Sequence, residues 1–319
     1  MKKFNRMVSV ILTVVLTAVF ISACKSADSK ETMNNKIKVT ATIFPEYDFL
    51  RQIGGDHIDL KLLLKPGAES HTFEPTPQDI KDIKNSDVFV YVGGDSDEWI
   101  DDVLSSIDKD RTHVISLMDC VDTVEEKSVE GMMPDEDDAE SGTPEYDEHV
   151  WTSPKNAEII VKKLCNELCS ADASNASDYK TASDAYIEKL ESLDKEFRKV
   201  VDNSKRKEII VGDRFPFRYF ADEYGLTYYA AFPGCSADTE ANAETMAFLV
   251  KKVKADSIPV VFHIELSNCQ VCDSICEQTG AKSELLNAVH NISADDFKAG
   301  VTYIDLMEHN VGVLKEALN

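Results

Sequence analysis

Short apolar strands alternate with amphipathic helices in two separate stretches of this chain. The first stretch opens with a predicted strand at residues 37–44 and closes with one at 114–117, and the second starts at Glu208. Strands that are separated by helices usually lie parallel in one sheet, with the helices packed on its faces. We therefore predict an α/β fold with two lobes, each of them a mostly parallel sheet with flanking helices.

The longest periodic segment of the chain lies between the two stretches, at residues 179–201. Its apolar residues recur at spacings of three and four, which places them on one helix face at about 3.6 residues per turn. The members of this stripe are Tyr179, Ala182, Tyr186, Leu190, Leu193, Phe197 and Val200. The pattern predicts one long helix that joins the two lobes.

The N-terminus has the three parts of an export signal. Lys2, Lys3 and Arg6 precede an apolar run at residues 7–21, and small residues then lead to Cys24. This run is too short for a typical membrane span, which favours a cleaved signal peptide. A cysteine at this point resembles a bacterial lipobox, which implies cleavage before Cys24, lipid on its thiol and a protein anchored on the extracytoplasmic face of the cell membrane. An ordinary signal peptide with an incidental cysteine is the alternative.

These patterns divide the chain into five segments. We predict a signal peptide at 1–23, a lipid-anchored tether at 24–36, an N-terminal α/β lobe at 37–170, a long linking helix at 171–206 and a C-terminal α/β lobe at 207–319.

Residues 124–148 of the first lobe form a predicted acidic loop. Nine acidic residues and no basic residue fall between Glu130 and Glu148. Such a segment is typical of a solvated, mobile insertion. It either collects cations weakly through its charge or is inert.

The whole chain is a strong polyanion, with a formal net charge of −24 at pH 7. This charge argues against nucleic acid as a partner, because phosphate backbones are bound by basic surfaces. It would attract cations, but acidity is an equally good route to solubility.

Seven of the eight cysteines remain once Cys24 is assigned to lipid, and an odd number cannot all pair within one exported chain. Cys269, Cys272 and Cys276 fall at i, i+3 and i+7, on one face of a predicted helix. Three interpretations are open: buried thiols that pack this helix, a disulfide, or a second metal or redox site.

Two histidines lie where α/β sheets bind ligands. His71 follows a strand within a Pro- and Gly-rich turn, and His149 follows the acidic loop and precedes a helix with Pro154 near its start. Ligands of such folds bind at the carboxyl ends of the strands. Either histidine alone, however, is more typical of a surface or capping residue.

Four motifs of the chain, two of which contain these histidines, resemble those of a known family. They are residues 66–79 with His71, residues 147–154 with His149, residues 217–226 with Tyr219, and residues 302–310 with Asn310. Their order resembles the zinc- and manganese-binding lipoproteins of ABC importers, from about Ile37 to the end of the chain. The resemblance implies two lobes joined by one long rigid helix, one metal ion held between them, and an import permease as the partner.

The chain departs from this family at two positions. The family's histidine five residues before Tyr219 is replaced by Arg214, and arginine cannot give up its proton to bind a metal. Either Asp213 then supplies an oxygen, or Arg214 pairs with an acidic ligand. His290 stands at about the position of the family's last ligand, usually an aspartate, so a gained histidine offsets the lost one.

We therefore predict that His71, His149 and His290 bind the metal. Three imidazoles favour zinc over manganese, which prefers more carboxylate ligands. Asp213 and Glu240 are candidates for the fourth position, although Glu240 also fits the first turn of a helix, where an acidic residue is favourable.

The other candidate residues have supporting or structural roles. Glu265 stands at the end of a strand and is expected to orient a ligand. His263, on the same apolar strand, is expected to be a hydrogen-bonded core histidine. The remaining histidines are expected to be structural or exposed: His57, His113 and His309.

The sequence as a whole predicts a binding protein that captures a divalent transition metal, above all zinc, and delivers it to an ABC import permease. We expect a monomer without enzymatic activity. A zinc hydrolase is the first alternative, but neither His-Glu-x-x-His nor Gly-x-Ser-x-Gly occurs. A surface lipoprotein with a thiol redox or an adhesion role is the second.

Overall fold

Each of the two predicted lobes contains one four-stranded parallel sheet. The computed structural model describes residues 36–69, 73–94, 97–133, 145–236 and 240–319. The first sheet consists of β1 (Ile37–Ala41), β2 (Ile58–Leu62), β3 (Val88–Tyr91) and β4 (His113–Ser116), in the order β2-β1-β3-β4. The second consists of β5 (Glu208–Arg214), β6 (Thr227–Phe232), β7 (Val260–His263) and β8 (Lys282–Leu285), in the order β6-β5-β7-β8. All pairings in both sheets are parallel, so the predicted α/β fold is confirmed.

Helices connect and cover these strands. In the first lobe they are α1 (Phe44–Gly54), α2 (Pro77–Lys84), α3 (Glu98–Leu104) and α4 (Pro154–Ala171). The long helix α5 (Ala176–Asp202) follows, and the second lobe adds α6 (Arg218–Tyr224), α7 (Ala243–Asp256), α8 (Gln270–Thr279), α9 (Ala294–Ala299) and α10 (Tyr303–Ala317). None of the helices in the described ranges combines the length and the apolar composition that a membrane crossing needs.

The long helix α5 contacts both lobes. Its predicted apolar stripe is buried apart from the half-buried Ala182, and Tyr179, Leu190 and Phe197 are completely inaccessible to solvent. The stripe packs on α1 and α4 of the first lobe and on α6 and α10 of the second. A single helix therefore connects the two lobes, as the periodicity predicts.

The segment that follows β8, residues 286–292, lies against the first lobe. The carbonyl oxygen of Ala288 accepts a hydrogen bond from Trp151 Nε1 at 2.8 Å, and that of His290 accepts one from Phe44 N at 3.3 Å. Both acceptors belong to the second lobe and both donors to the first. Main-chain hydrogen bonds therefore hold the lobes together, and Ile37–Asn319 form one compact unit.

A buried carboxylate fastens α1 to α10. Asp48 on α1 is fully buried, and its Oδ2 accepts a hydrogen bond from Tyr303 N at 2.7 Å while its Oδ1 accepts one from Arg51 Nη2 at 2.6 Å. Tyr303 is the first residue of α10, where the backbone N–H groups lack partners within the helix and negative charge is favourable. Asp48 therefore links the first lobe to the last helix of the second.

The beginning of α1 differs from the prediction. The strand β1 ends at Ala41 rather than at residue 44, and the helix already includes Phe44 and Pro45. Proline is tolerated in the first turn because its missing N–H would have no partner there. The Glu46 carboxylate accepts hydrogen bonds from Thr42 N and Ile43 N and so stabilises the start of this helix.

The last part of the chain forms two helices, α9 and α10, with a break at Gly300. Gly300 ends α9 with a φ of 78°, a left-handed conformation that glycine adopts without strain. The Thr302 side chain then accepts a hydrogen bond from Asp305 N and begins α10. The strand β8 was not predicted, because its Lys282, Ser283 and Glu284 are polar and lie at the edge of the sheet.

The end of the predicted acidic loop is buried rather than solvated. Its middle, residues 134–144, lies outside the described residues. Glu125 and Tyr146 form an antiparallel bridge, and the next two residues, Asp147 and Glu148, are only 1% and 4% exposed. Burial of carboxylates is costly unless they are paired. The neighbouring His149 is a partner of Asp147.

Candidate metal centre

His149 is held in one orientation by Asp147. The histidine is completely buried at the start of a single 3₁₀ turn, Val150–Thr152. Asp147 Oδ1 lies 3.0 Å from His149 Nδ1 and also accepts a hydrogen bond from His149 N at 2.8 Å. Because a carboxylate can only accept, the ring proton of neutral His149 is on Nδ1 and the lone pair is on Nε2. This is the arrangement of a metal-binding histidine with a carboxylate behind it.

His290 reaches the same place from the other lobe. Its ring centroid lies 4.7 Å from that of His149, with the two planes at 79°. Glu265 Oε1 accepts a hydrogen bond from His290 N at 2.8 Å and lies 3.4 Å from His290 Nδ1. Trp151 packs edge-on against both imidazoles, at 5.5 and 5.4 Å between ring centroids. The structure thus brings together two of the three predicted ligands, and it places Glu265 behind one of them.

The two imidazoles have opposite electrostatic surroundings. Burial, the neighbouring His149 and the Arg214 guanidinium hold the pKa of His290 well below its ordinary value. Burial also opposes protonation of His149, but the Asp147 carboxylate and other nearby acidic groups outweigh this effect and raise the pKa of His149. The His290 ring is therefore neutral and able to donate a lone pair, whereas the surroundings of His149 stabilise a positive charge.

Two further carboxyl groups border this pair of histidines. A small cavity of about 30 Å³ is lined by both rings and by residues that include Asp97 and Glu148. Burial raises the pKa of the Asp97 carboxyl to about 7, although its Oδ2 accepts hydrogen bonds from the backbone N–H groups of Val92 and Gly93. Asp97, Asp147 and Glu148 were not predicted as residues of the site. Asp147 and Glu148 adjoin His149 in the sequence, which is the one signal that could have indicated them, and Asp97 has no such signal.

The third predicted ligand, His71, lies outside the described residues, as does Cys24. Residues on either side of His71 are described. Phe73 lines the same cavity as His149 and His290, and Glu69 bonds to Arg214. The assignment of His71 as a ligand stays a prediction.

Arg214 pairs with an acidic residue of the other lobe. Its Nη1 lies 3.2 Å from Glu69 Oε1 and its Nη2 lies 3.0 Å from Glu69 Oε2, which is a bidentate ion pair. Its charge is close enough to His290 to lower the pKa of that ring. Arg214 therefore pairs with a carboxylate, but Glu69 is not one of the predicted ligands, and both alternatives for this position stay predictions.

The structure describes both candidates for a fourth ligand. Asp213 is buried on β5, and its charge contributes with burial and Asp273 to the raised pKa of the Cys269 thiol. Glu240 is exposed and precedes α7, which begins at Ala243, so its assignment to a first helical turn was wrong. The cap of that helix is Asn242, whose side-chain oxygen accepts a hydrogen bond from Thr245 N.

The remaining histidines all have partners. His263 is half-buried on β7, with Nδ1 at 3.1 Å from Ile264 O. The partners of the others are Asp178 for His57, Glu167 for His113 and the Leu285 carbonyl for His309.

None of the seven cysteines within the described ranges forms a disulfide. Cys272 is buried and its Sγ donates to Val261 O at 3.4 Å, as expected of a thiol that packs a helix face. Cys269 precedes α8 with a φ of 60°, so it does not belong to the helix face on which it was predicted.

Comparison with known proteins places this arrangement in a family. A family model described as "ZnuA: Zinc-uptake complex component A periplasmic" matches residues 39–317. The chain is 31% identical over 309 residues to the high-affinity zinc uptake system protein ZnuA of Bacillus subtilis, with 95% of this chain and 96% of that protein covered. It is 30% identical over 308 residues to the zinc-binding lipoprotein AdcA of Streptococcus pneumoniae, where it covers 96% of its own length but only 60% of AdcA.

Solved structures agree with this assignment. The zinc-bound ZnuA-like domain of Streptococcus pneumoniae AdcA superposes with a TM-score of 0.73 at 29% identity, over 89% of this chain and 99% of that domain. The metal-dependent lipoprotein YcdH of Bacillus subtilis superposes with a TM-score of 0.75 at 31% identity, over 89% of this chain and 99% of YcdH. The two-lobe architecture is therefore shared along nearly the full described length.

Proposed function

Because this chain belongs to the family of the periplasmic zinc-uptake complex component A, we propose that it holds one zinc ion between its lobes through His71, His149 and His290. The family supplies metal to an ABC importer and is not a family of enzymes. The observation that carries the proposed site is the contact of the His149 and His290 rings, 4.7 Å apart across the lobes. His71 precedes a segment that lines the same cavity.

The residues around the two imidazoles fit a zinc ion. Zinc binds neutral imidazole nitrogen and is commonly bound by histidines that donate their other N–H to a carboxylate or a carbonyl. Asp147 serves His149 in this way, and Glu265 lies beside His290 Nδ1. The nearby Asp97 and Glu148 add acidic groups that favour a cation in this cavity. The relatives whose names specify zinc support the same choice of metal.

The remaining segments fit a protein that is tethered outside the cytoplasm. We propose that residues 1–23 are a signal peptide, that Cys24 receives lipid, and that residues 24–36 tether a monomer to the membrane. The boundaries we propose for the folded part are 37–170, 171–206 and 207–319. The lipoprotein AdcA, named as such in Streptococcus pneumoniae, supports the anchor.

Titration of the metal-free mature protein tests the proposed function. Calorimetry should detect one tight zinc ion per chain, and manganese should bind at least roughly a hundredfold more weakly, because imidazole ligands favour zinc. Absence of tight zinc binding, or a preference for manganese, would reject the proposal. Elemental analysis of protein purified without added metal gives an independent readout.

Replacement of Arg214 by glutamine should strengthen zinc binding. The guanidinium is close enough to lower the pKa of His290, and its positive charge opposes a divalent cation. Its loss also leaves the Glu69 carboxylate without this partner, which makes the cleft more negative. We expect affinity to rise roughly tenfold, or about 1.4 kcal/mol, in competition titrations with a chromophoric chelator.

Arg206→Gln is the matched control, because Arg206 bonds to the Ser257 carbonyl away from the cleft. Its zinc affinity should equal that of the unmodified protein. A weaker affinity in Arg214→Gln alone would contradict the electrostatic argument and would show that the ion pair with Glu69 is needed to assemble the site.

A further inference from the structure

A second group of metal-ligating side chains lies beside the histidines, on two paired segments of the acidic loop. Glu125 and Tyr146 form the antiparallel bridge, flanked by hydrogen bonds from Glu126 N to Glu145 O at 2.9 Å and from Asp147 N to Val124 O at 3.0 Å. Opposite residues of an antiparallel pair project on the same side, and so do residues two apart along each segment. The carboxylates of Glu126, Glu145 and Asp147 therefore share one face.

A thiol from the second lobe meets this face. Cys235 follows β6, and its Sγ and one carboxylate oxygen each of Glu126 and Glu145 all lie within 4.8 Å of one another. Gly234 N donates a hydrogen bond to Glu126 Oε1, which holds the Cys235 loop against the paired segments. All three side chains are half-buried, so an ion can reach them from solvent.

The group adjoins the histidines but is distinct from them. A Cβ atom on Gly234 would lie 3.0 Å from His149 Cε1 and 3.1 Å from Glu126 Oε1. A side chain at this position would therefore be crowded by the imidazole and by this carboxylate. The backbone of Gly234 therefore lies between His149 and the group formed by Glu126, Glu145 and Cys235.

A buried carboxylate oxygen independently indicates a ligand at this face. Asp147 is 1% exposed, and its Oδ2 has no hydrogen-bond partner among the residues the structure describes, whereas its Oδ1 serves His149. A buried carboxylate oxygen without a hydrogen-bond partner is destabilising, because its lost hydration is not replaced. Burial and the surrounding Glu148, Glu126, Asp147 and Glu145 carboxylates raise the pKa of the Cys235 thiol. A divalent cation would relieve both penalties.

We propose that Glu126, Glu145 and Cys235 form a second site for a divalent, thiol-binding metal ion such as zinc or cadmium, with the Asp147 carboxylate on the same face of the paired segments. A thiolate with carboxylates suits these ions better than manganese, magnesium or calcium. The Cys235 thiol loses its proton to water as the metal binds. The site stands independently of the central one, although an ion bound here would be next to His149.

Cadmium titration of the full mature protein tests the second site. Cadmium bound to a thiolate gives a charge-transfer absorbance in the ultraviolet, and we expect this band in the unmodified protein and in Cys120→Ser, which removes another half-buried thiol. The band should be lost in Cys235→Ser. In Glu126→Gln, cadmium affinity should fall at least roughly tenfold, as expected for a lost ligand. A band that persists in Cys235→Ser overturns the proposal.

A second measurement separates this site from the central one. Zinc should slow the reaction of Cys235 with a maleimide both in the unmodified protein and in His149→Ala/His290→Ala, with the reaction at Cys235 identified by peptide mapping. Protection only when the histidines are present would overturn the independent site. If the unmodified protein binds no zinc tightly but zinc still protects its Cys235 from the maleimide, the central site alone is rejected.

Discussion

His149→Ala weakens zinc binding by roughly a hundredfold or more. A structural zinc site with four ligands is worth about 10–16 kcal/mol, so one ligand contributes about 3 kcal/mol. His149 is fully buried and its ring lies against that of His290, so the variant loses a ligand that the fold holds in place. The double variant His149→Ala/His290→Ala should lose the tight binding of the central site in a competition titration and keep only the weaker binding at Glu126, Glu145 and Cys235.

The matched control for this loss is His113→Ala, which removes a half-exposed histidine that pairs with Glu167 away from the cleft. Its zinc affinity should remain unchanged. Tight zinc binding in the double histidine variant would show that the metal is held elsewhere, and circular dichroism of each variant establishes that the fold is intact.

Asp48→Ala should lower the free energy of unfolding by about 3 kcal/mol, as expected when one partner of a buried charged pair is removed. The change leaves Tyr303 N without its acceptor at the start of α10 and leaves Arg51 without its nearest carboxylate. Urea unfolding of the metal-free protein measures this difference without a contribution from bound zinc.

Asp305→Ala is a control on the same helix. Asp305 accepts hydrogen bonds from Thr302 N and Thr302 Oγ1 at the exposed side of the α10 N-terminus. Loss of such a cap costs about 1 kcal/mol. Equal losses in the two variants would mean that the link between the lobes through Asp48 adds nothing beyond local capping.

Local pattern in the sequence was sufficient for most of the fold. The apolar stripe of α5 and the alternation of strands and helices are local signals, and both were confirmed. The strand β8 was not predicted, because an edge strand with one solvated face needs no apolar run. The break between α9 and α10 depends on the backbone conformation of Gly300, which a helical spacing does not reveal.

The candidate site was predictable only in part, because its contacts join distant parts of the chain. The positions of His149 and His290 within motifs indicated ligands, but their contact depends on how the lobes pack. Arg214 and Glu69 are 145 residues apart, and no periodicity connects them. Asp147 was assigned to a solvated loop because its neighbours are acidic, whereas its hydrogen bonds to His149 require burial.

The chain has just two tryptophans, and both line the cavity of the two histidines: Trp99 on α3 and Trp151 in the 3₁₀ turn. Trp151 touches both imidazole rings. Indole emission from this protein therefore originates entirely at the walls of the cavity. We therefore expect intrinsic fluorescence to report metal binding in this cavity without a label and without background from tryptophans elsewhere in the fold.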